Sequence, residues 1–474
     1  MAMKLTDFIN KIKNLESNAN DLLKKTFESY PVIRINIFTK YFRSETIAQE
    51  NKLGILITIN TITLSVLTYF RNPVVREQYD LLFLTRTSET ELVEGGLWRN
   101  RNSDPFVHFF KSKYRIKSIE TVDSHVSGIR NYFFEDTTNI LLKTLFVRIK
   151  SKIKSFFKSV FDMTELNRHI KSIFGYEVDC NYDLIYINEL SHLYLKLLKN
   201  YKPKLVFLAC YYRPDAMAIT IAANKLNIRV VEYQHGAQND THALYSNWNL
   251  IPKSGYEMIP NIFWMWGKIS ADRINKWASN TTRHSAVVGG NLWLAYQLET
   301  NSEVVLAEDG DNKLRILVSL QGDERFPTYL LDYLESDDNE FKWYFRNHPR
   351  LVISEDLEMK LNRFTEISVE ETSDKELYPF LKQMDIHITG HSTVGFEAQS
   401  FNIPNIFTHK NAKDGYSDLL GKNGLFYADN LEEFKNKINY IRDNIEEIRN
   451  NIKPDYIVSD ISIAENTLKS LMKL

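Results

Sequence analysis

The sequence predicts an α/β protein made of two doubly wound parallel sheets that face each other across a cleft, with extra N-terminal helices. Three observations predict it. At 474 residues the chain is too long for one ordinary core. From residue 203 onward, short apolar runs alternate with helical patterns, and that alternation implies right-handed crossovers and parallel strands. The alternation breaks at a polar, acidic stretch, "QLETNSEVVLAEDGDN" (297–312), and then resumes. The expected division is a helical extension over 1–78, a first domain over 79–296 with a helical insertion at about 123–175, and a second domain over 297–474.

The elements follow in order. Residues 1–50 read as amphipathic helices of mixed charge. "LGILITINTITLSVLTYF" (53–70) is nearly long enough to cross a bilayer, but it carries Thr58, Asn60, Thr61, Thr63, Ser65 and Thr68. A buried element of the first domain is expected there, with a membrane span as the alternative. "YDLLFLTR" (79–86) is a short buried strand. Asp104 before Pro105 is a helix start, and a second strand follows near Ile116–Glu120. Residues 138–175 are helical by pattern. Strands are expected at 203–210, 228–234, 261–267 and 284–291, with helices at 214–227 and about 271–278. In the second half, strands are expected at 313–320, 341–349, 366–371, 385–390, 404–408 and 424–430. Helices fill 327–336, 355–363, 374–383, 392–401, 431–448 and 459–473.

Composition narrows the function. Hydrophobic residues make up 43% and charged residues 25%, which is globular. With 59 basic and 60 acidic residues the net charge is −1, so nucleic acid is not an expected partner. Cys180 and Cys210 stand in no ligand spacing, which disfavours a disulfide framework or a cysteine zinc site and fits a reducing cytosol. The N-terminus lacks a signal-peptide pattern. There is no P-loop, no GxGxxG after a first strand, no HExxH and no GxSxG. Neither a metal nor a cofactor is expected.

Polar motifs fall at the C-terminal ends of expected strands, where open parallel sheets bind ligands. "QHG" places Gln234, His235 and Gly236 after one strand; "QGDE" places Gln321 after another. His235 is either a turn residue bonded to its own loop or a titratable base at the mouth of a cleft, with Glu232 and Asp240 near enough in sequence to orient it. Gly236 allows a close approach. In "RNHPR", Pro349 biases His348 to an extended backbone, and Arg346 and Arg350 flank it with positive charge. The motif is either an anion site or a solvated turn. In "TGHSTVGFEA", Gly390 ends a strand and Ser392 and Thr393 open a helix, presenting hydroxyls, backbone N–H groups and the helix dipole to an anion. Glu397 then suits a ribose hydroxyl, and simple helix capping is the alternative. "AEDGD" (307–311) reads as a solvated acidic loop.

A basic amphipathic stretch, "KTLFVRIKSKIKSFFKSVF" (143–161), carries Lys143, Arg148, Lys150, Lys152, Lys154 and Lys158. Either it lies on an anionic bilayer, or its apolar face packs into the core.

On "QHG", "RNHPR" and "TGHSTVGFEA", in that order, residues 200–430 resemble the GT-B glycosyltransferases of bacterial surface-polysaccharide synthesis. They are similar in particular to the cytidine-nucleotide-dependent Kdo and sialic acid transferases and the CDP-glycerol glycerophosphotransferases. The resemblance implies two Rossmann-type sheets, a C-terminal domain for the nucleotide and an N-terminal domain for the acceptor. It places His348, Pro349, Ser392 and Thr393 on the donor phosphate, Glu397 on the ribose, and His235 as the base. The implied activity is metal-independent transfer of a sugar, CMP-linked, to a glycan or lipid-linked acceptor of a capsule or O-antigen. The expected location is the cytoplasm or the cytoplasmic face of the inner membrane. Two departures stand out: the first domain lacks the acidic-acidic-glycine motif of sialyltransferases, and "DIHITGHST" has Gly390 and His391 where the glycerophosphotransferases carry an aspartate. A glycerophosphotransferase, a sugar-nucleotide epimerase and a non-catalytic binding partner of an assembly complex are the alternatives.

Overall fold

The strands lie where the short apolar runs place them. The structure, a computed structural model, describes residues 5–43, 62–64, 66–67, 70, 77–123, 130–300, 306, 313–336, 340–348, 351–453 and 455–473. In the first domain the strands are β1 (Leu81–Arg86), β2 (Thr90–Val93), β3 (Leu97–Asn100), β4 (Ile116–Thr121), β5 (Asn131–Tyr132), β6 (Thr137–Asn139), β7 (Leu205–Leu208), β8 (Arg229–Tyr233), β9 (Ile262–Met265) and β10 (Ser285–Val288). The second domain holds β11 (Leu314–Ser319), β12 (Phe341–Arg346), β13 (Ile386–Thr389), β14 (Asn405–Phe407) and β15 (Leu425–Tyr427).

Two sheets carry the fold. The first runs β10-β9-β8-β7-β1-β4-β6 and the second β12-β11-β13-β14-β15, each parallel throughout. β2, β3 and β5 form a small mixed sheet that no sequence pattern announced. Central strands such as β7 are buried at every position because helices cover both faces.

Several boundaries differ from the expected ones. The helices Leu5–Asn18 and Tyr30–Arg43 are not an extension. Phe8, Ile12, Tyr30 and Ile33 share one core with Tyr194 and Leu244 of the first domain. The terminal helix Ile461–Lys473 leaves the second domain and packs Ala464, Leu468 and Leu471 against Phe83 and Trp264 of the first sheet. The stretch from 297 begins as the end of helix Leu292–Thr300. The expected insertion at 123–175 contains β5 and β6 as well as helices. Residues 366–371 are not a strand. Ser368 accepts from the Glu371 N–H and caps helix Val369–Asp374. Most of 53–70, and all of 307–311, lie outside the described residues. No helix among the described residues is long and apolar enough to cross a membrane.

The domains meet on an apolar seam at the C-terminal ends of their strands. Ala237, Trp266 and Leu294 pack with Phe396, Phe407 and Tyr416, and Phe396 stacks on Tyr456 at 3.9 Å. Arg273 grips Asp418 with both carboxylate oxygens, at 2.8 and 2.9 Å. Gly415 lies so close to Asn239 that a Cβ there would stand 2.5 Å from Nδ2.

Candidate functional site

β7 and β8 pair with Leu208 opposite Glu232, so the loops that leave them start side by side. Cys210 turns the chain back with φ +55°. Its Sγ lies 3.1 Å from His235 Nε2, and the Tyr212 hydroxyl lies 3.5 Å from the same nitrogen. Burial pushes the thiol up to about 11 although Arg86 opposes it, so Cys210 keeps its proton at neutral pH. The His235 ring is open to solvent, yet protein crowds it closely enough that desolvation lowers its pKa below 6.5, with Glu232 acting in the opposite sense. The imidazole is therefore neutral at pH 7 and able to take a proton.

Glu232 is fully buried beneath it. One oxygen accepts from the Tyr211 N–H at 3.1 Å and from the Tyr245 hydroxyl. The other has no hydrogen-bond partner among the described residues. Burial raises this carboxyl to about 8, and the nearby His235 pulls it down. Glu232 is therefore protonated at pH 7, and it serves as a positioning residue that ties Tyr211 and Tyr245 together beneath the His235 turn. The unfolded chain releases this proton near pH 4.5, the folded chain near pH 8. The group's stabilising contribution is complete below the first value and is lost as pH rises through the second. Glu232→Gln should therefore flatten the decline in stability between pH 5 and pH 8 by on the order of a few kcal/mol, read by denaturant unfolding at the two pH values. Parallel declines in both proteins would remove Glu232 from the account.

Other residues of this wall have structural tasks. Gln234, expected to meet the acceptor, is buried. It donates to the Gly236 carbonyl at 2.9 Å and accepts from the Trp266 N–H at 2.8 Å, joining two strand ends. Asp240 turns to Lys276 at 3.2 Å and does not orient His235. A Cβ at Gly236 would meet open space. Beyond Cys210, Arg86 reaches its sulfur at 3.5 Å and joins Asp123, Arg213 and Asp215 around a cavity of about 230 Å³.

The second wall follows from register. Ser319 pairs with Thr389, and Thr389 with Phe407. Two residues beyond each stand Gln321, His391 and His409. Gln321 Oε1 accepts from the His391 N–H at 2.8 Å, and it approaches so closely that a Cβ on Gly390 would stand 2.8 Å away. The His391 and His409 rings lie 5.3 Å apart. His391 is pushed down to about 3 by burial, then by Arg325 and His409. Burial, Arg325 and Lys410 lower His409 against the pull of Asp414. His391 Nδ1 is buried with no partner among the described residues. Arg325 and Lys410 beside these imidazoles make a positively charged cluster that a phosphate would neutralise.

Ser392 and Thr393 stand beside this row, half-buried. Helix Val394–Glu397 that they open is one turn long, continued by a 3-10 turn, so its dipole is small and the side chains supply most of the field. Glu397, expected on a ribose, is buried in the seam against Tyr378, and burial raises it to about 7. Arg346, expected on a phosphate, donates Nη1 to the carbonyls of Thr372 and Lys375 at 2.7 and 2.6 Å, closing a helix end. His348 lies two residues past the end of edge strand β12, bridged to Leu351, and one strand over from Gln321. Pro349 and Arg350 lie outside the described residues.

The two walls converge. The loop after His235 packs Ala237 against the apolar cluster that holds Ala412 and sets Asn239 against Gly415; Ala412 and Gly415 belong to the helix Lys410–Tyr416 that His409 caps. Sequence reading missed Cys210, Arg86, Arg325, His391 and His409 as site residues. Their signal was positional: each lies within a few residues of a strand's C-terminal end. Among the described residues no group of three or more His, Cys, Asp or Glu is placed to hold a metal ion.

No protein-family model matches this sequence, and no curated protein matches it either. Solved structures share the architecture. A UDP-N-acetylglucosamine 2-epimerase superposes with a TM-score of 0.51 at 14% identity, over 84% of this chain and 97% of that one. The Neisseria meningitidis UDP-GlcNAc 2-epimerase bound to UDP-GlcNAc gives 0.48 at 13% identity, covering 83% of this chain and 100% of that one. A glycosyltransferase from Rickettsia africae gives 0.47 at 14% identity, covering 84% and 99%. The fold is GT-B-like: two Rossmann-type parallel sheets facing at their C-terminal edges.

Proposed function

We propose that the protein is a glycosyltransferase that moves a sugar from a nucleotide-activated donor to an acceptor hydroxyl. One observation carries the reading: a neutral, solvent-open His235 and the Arg325–His391–His409 cluster stand on loops that meet at one seam. In this reading the acceptor hydroxyl gives its proton to His235 and its oxygen attacks the anomeric carbon. The bond from that carbon to the donor phosphate breaks, and the departing anion settles against Arg325, His391, His409, Ser392 and the backbone of Gly390. The finer proposal, a CMP-linked donor of Kdo or sialic acid type, rests on the motif resemblance alone, as does an acceptor of capsule or O-antigen type.

Sugar-nucleotide epimerisation is the second reading, favoured by the fold shared with the 2-epimerase at TM-score 0.51. It needs no acceptor. The test is thermal shift with CMP, CDP, UDP, GDP and their sugars, followed by donor turnover with and without acceptor. One nucleotide series should raise Tm in the native protein, and Arg325→Ala with His409→Ala should abolish that rise. Donor conversion without acceptor would favour the epimerase. A flat response to every nucleotide would sink both readings.

A further inference from the structure

Helix Leu141–Phe157 is held by one side only. Ser151 is fully buried, Val147 packs against the core, and Arg148 lies over the Tyr186 ring at 5.9 Å. The apolar residues are elsewhere. Phe146, Ile149, Ile153, Phe156 and Phe157, with Val160 just beyond the helix, are 67, 59, 56, 76, 87 and 44% exposed. At about 100° per residue they fall in one arc roughly 100° wide, almost opposite Ser151. A strip of six large apolar side chains in water marks a surface that meets something.

Charge says what. Residues 141–161 carry six basic and no acidic side chains, in a chain whose net charge is −1. On the helix, Lys143, Lys150 and Lys154 border one side of the strip and Lys152 the other. Glu189 pairs with Lys150 and Lys154 and offsets part of this charge. A second copy of the chain would bring a like-charged strip against this one. An anionic bilayer fits both features: phenylalanine and isoleucine enter the acyl boundary and the lysines stay at the headgroups.

The other face of the helix points to the site. Thr144 and Arg148 line the cavity that Arg86, Asp123, Arg213 and Asp215 enclose, and Arg86 contacts the cysteine that holds His235. We propose that helix Leu141–Phe157 docks the protein on an anionic bilayer and so presents this cavity to a lipid-anchored acceptor. The docking stands on the helix; its link to the acceptor rests on the transfer reading above.

Flotation of the full chain with vesicles tests it. The protein should rise with phosphatidylglycerol-containing vesicles, much less with pure phosphatidylcholine, and less again at high salt. Phe156→Asp with Phe157→Asp should weaken vesicle binding by at least roughly tenfold. Tm and the nucleotide-induced shift should not change, because both side chains are exposed. Equal flotation of wild type and variant, or none by the wild type, overturns the docking. So does a wild-type dimer in sedimentation that the variant abolishes. With a lipid-anchored acceptor in vesicles the variant should turn over at least tenfold more slowly, and with a soluble analogue at the wild-type rate; equal losses on both overturn the link to the acceptor. Absence of turnover on any acceptor counts against the transfer reading and leaves the flotation result standing.

Discussion

Replacing His235 with alanine is expected to lower kcat/KM for transfer by roughly 10²–10⁴-fold and to leave the unfolding free energy within about 1 kcal/mol of wild type. The two halves of this result have different origins. The ring is open to solvent and, among the described residues, contacts only the Cys210 sulfur and the Tyr212 hydroxyl at hydrogen-bond range, so its removal opens no cavity. The rate falls because its two neighbours Cys210 and Glu232 cannot replace it: Cys210 holds its proton to about pH 11, and Glu232 is sealed beneath the loop. The pH profile makes the role specific. The base must be neutral, and desolvation lowers its pKa from 6.5, so the acid limb of log kcat/KM should fall below pH 6.5 in wild type. In the alanine variant that limb should vanish along with most of the rate. A variant that keeps its rate, or keeps the same acid limb, would show that another group takes the proton.

The strands were legible because each central one is a short continuous apolar run, as in "LVFL" and "IFWM", and only a strand covered on both faces needs such a run. The polar turns after them were legible for the same reason, and they gave His235, Gln321, Gly390 and Ser392. Strand order was not. Nothing local says that β13 lies between β11 and β14, and that order is what sets His391 between Gln321 and His409. Arg346 read as an anion ligand because its partners, two carbonyls at 372 and 375, belong to a segment misread as starting with a strand. "EISVEE" alternates like a strand, but Ser368 followed by three helix-compatible residues is also an N-cap, and the cap prevailed. Helix Leu141–Phe157 shows a limit of periodicity. It reveals an apolar face but not which face packs, and here the small residue Ser151 points inward.

Arg34→Ala is the substitution expected to cost most stability, about 3–5 kcal/mol in denaturant unfolding. Its guanidinium has no solvent exposure. It pairs with Glu16 at 2.7 Å, donates to the carbonyls of Ala243, Ser246 and Asn247 at 2.8, 2.9 and 3.0 Å, and lies 4.3 Å above the Trp248 ring. Truncation leaves a buried carboxylate without its cation and three carbonyls without donors, and each of those is costly away from water. Lysine should rescue little, because a point ammonium cannot replace a planar fork that meets carbonyls and carboxylate together. The damage should also travel. The segment clamped by Arg34 carries Tyr245, whose hydroxyl donates to Glu232, and Glu232 underlies the turn that crowds and desolvates His235. A helix at the far N-terminus therefore holds the floor of the first wall in place. Arg34→Ala should lower kcat/KM even at temperatures where the protein remains folded, and it should move the acid limb that His235 controls. A loss of stability below about 1 kcal/mol, or an unmoved acid limb in the folded variant, would mean that the N-terminal helices only cover the core and do not support the site.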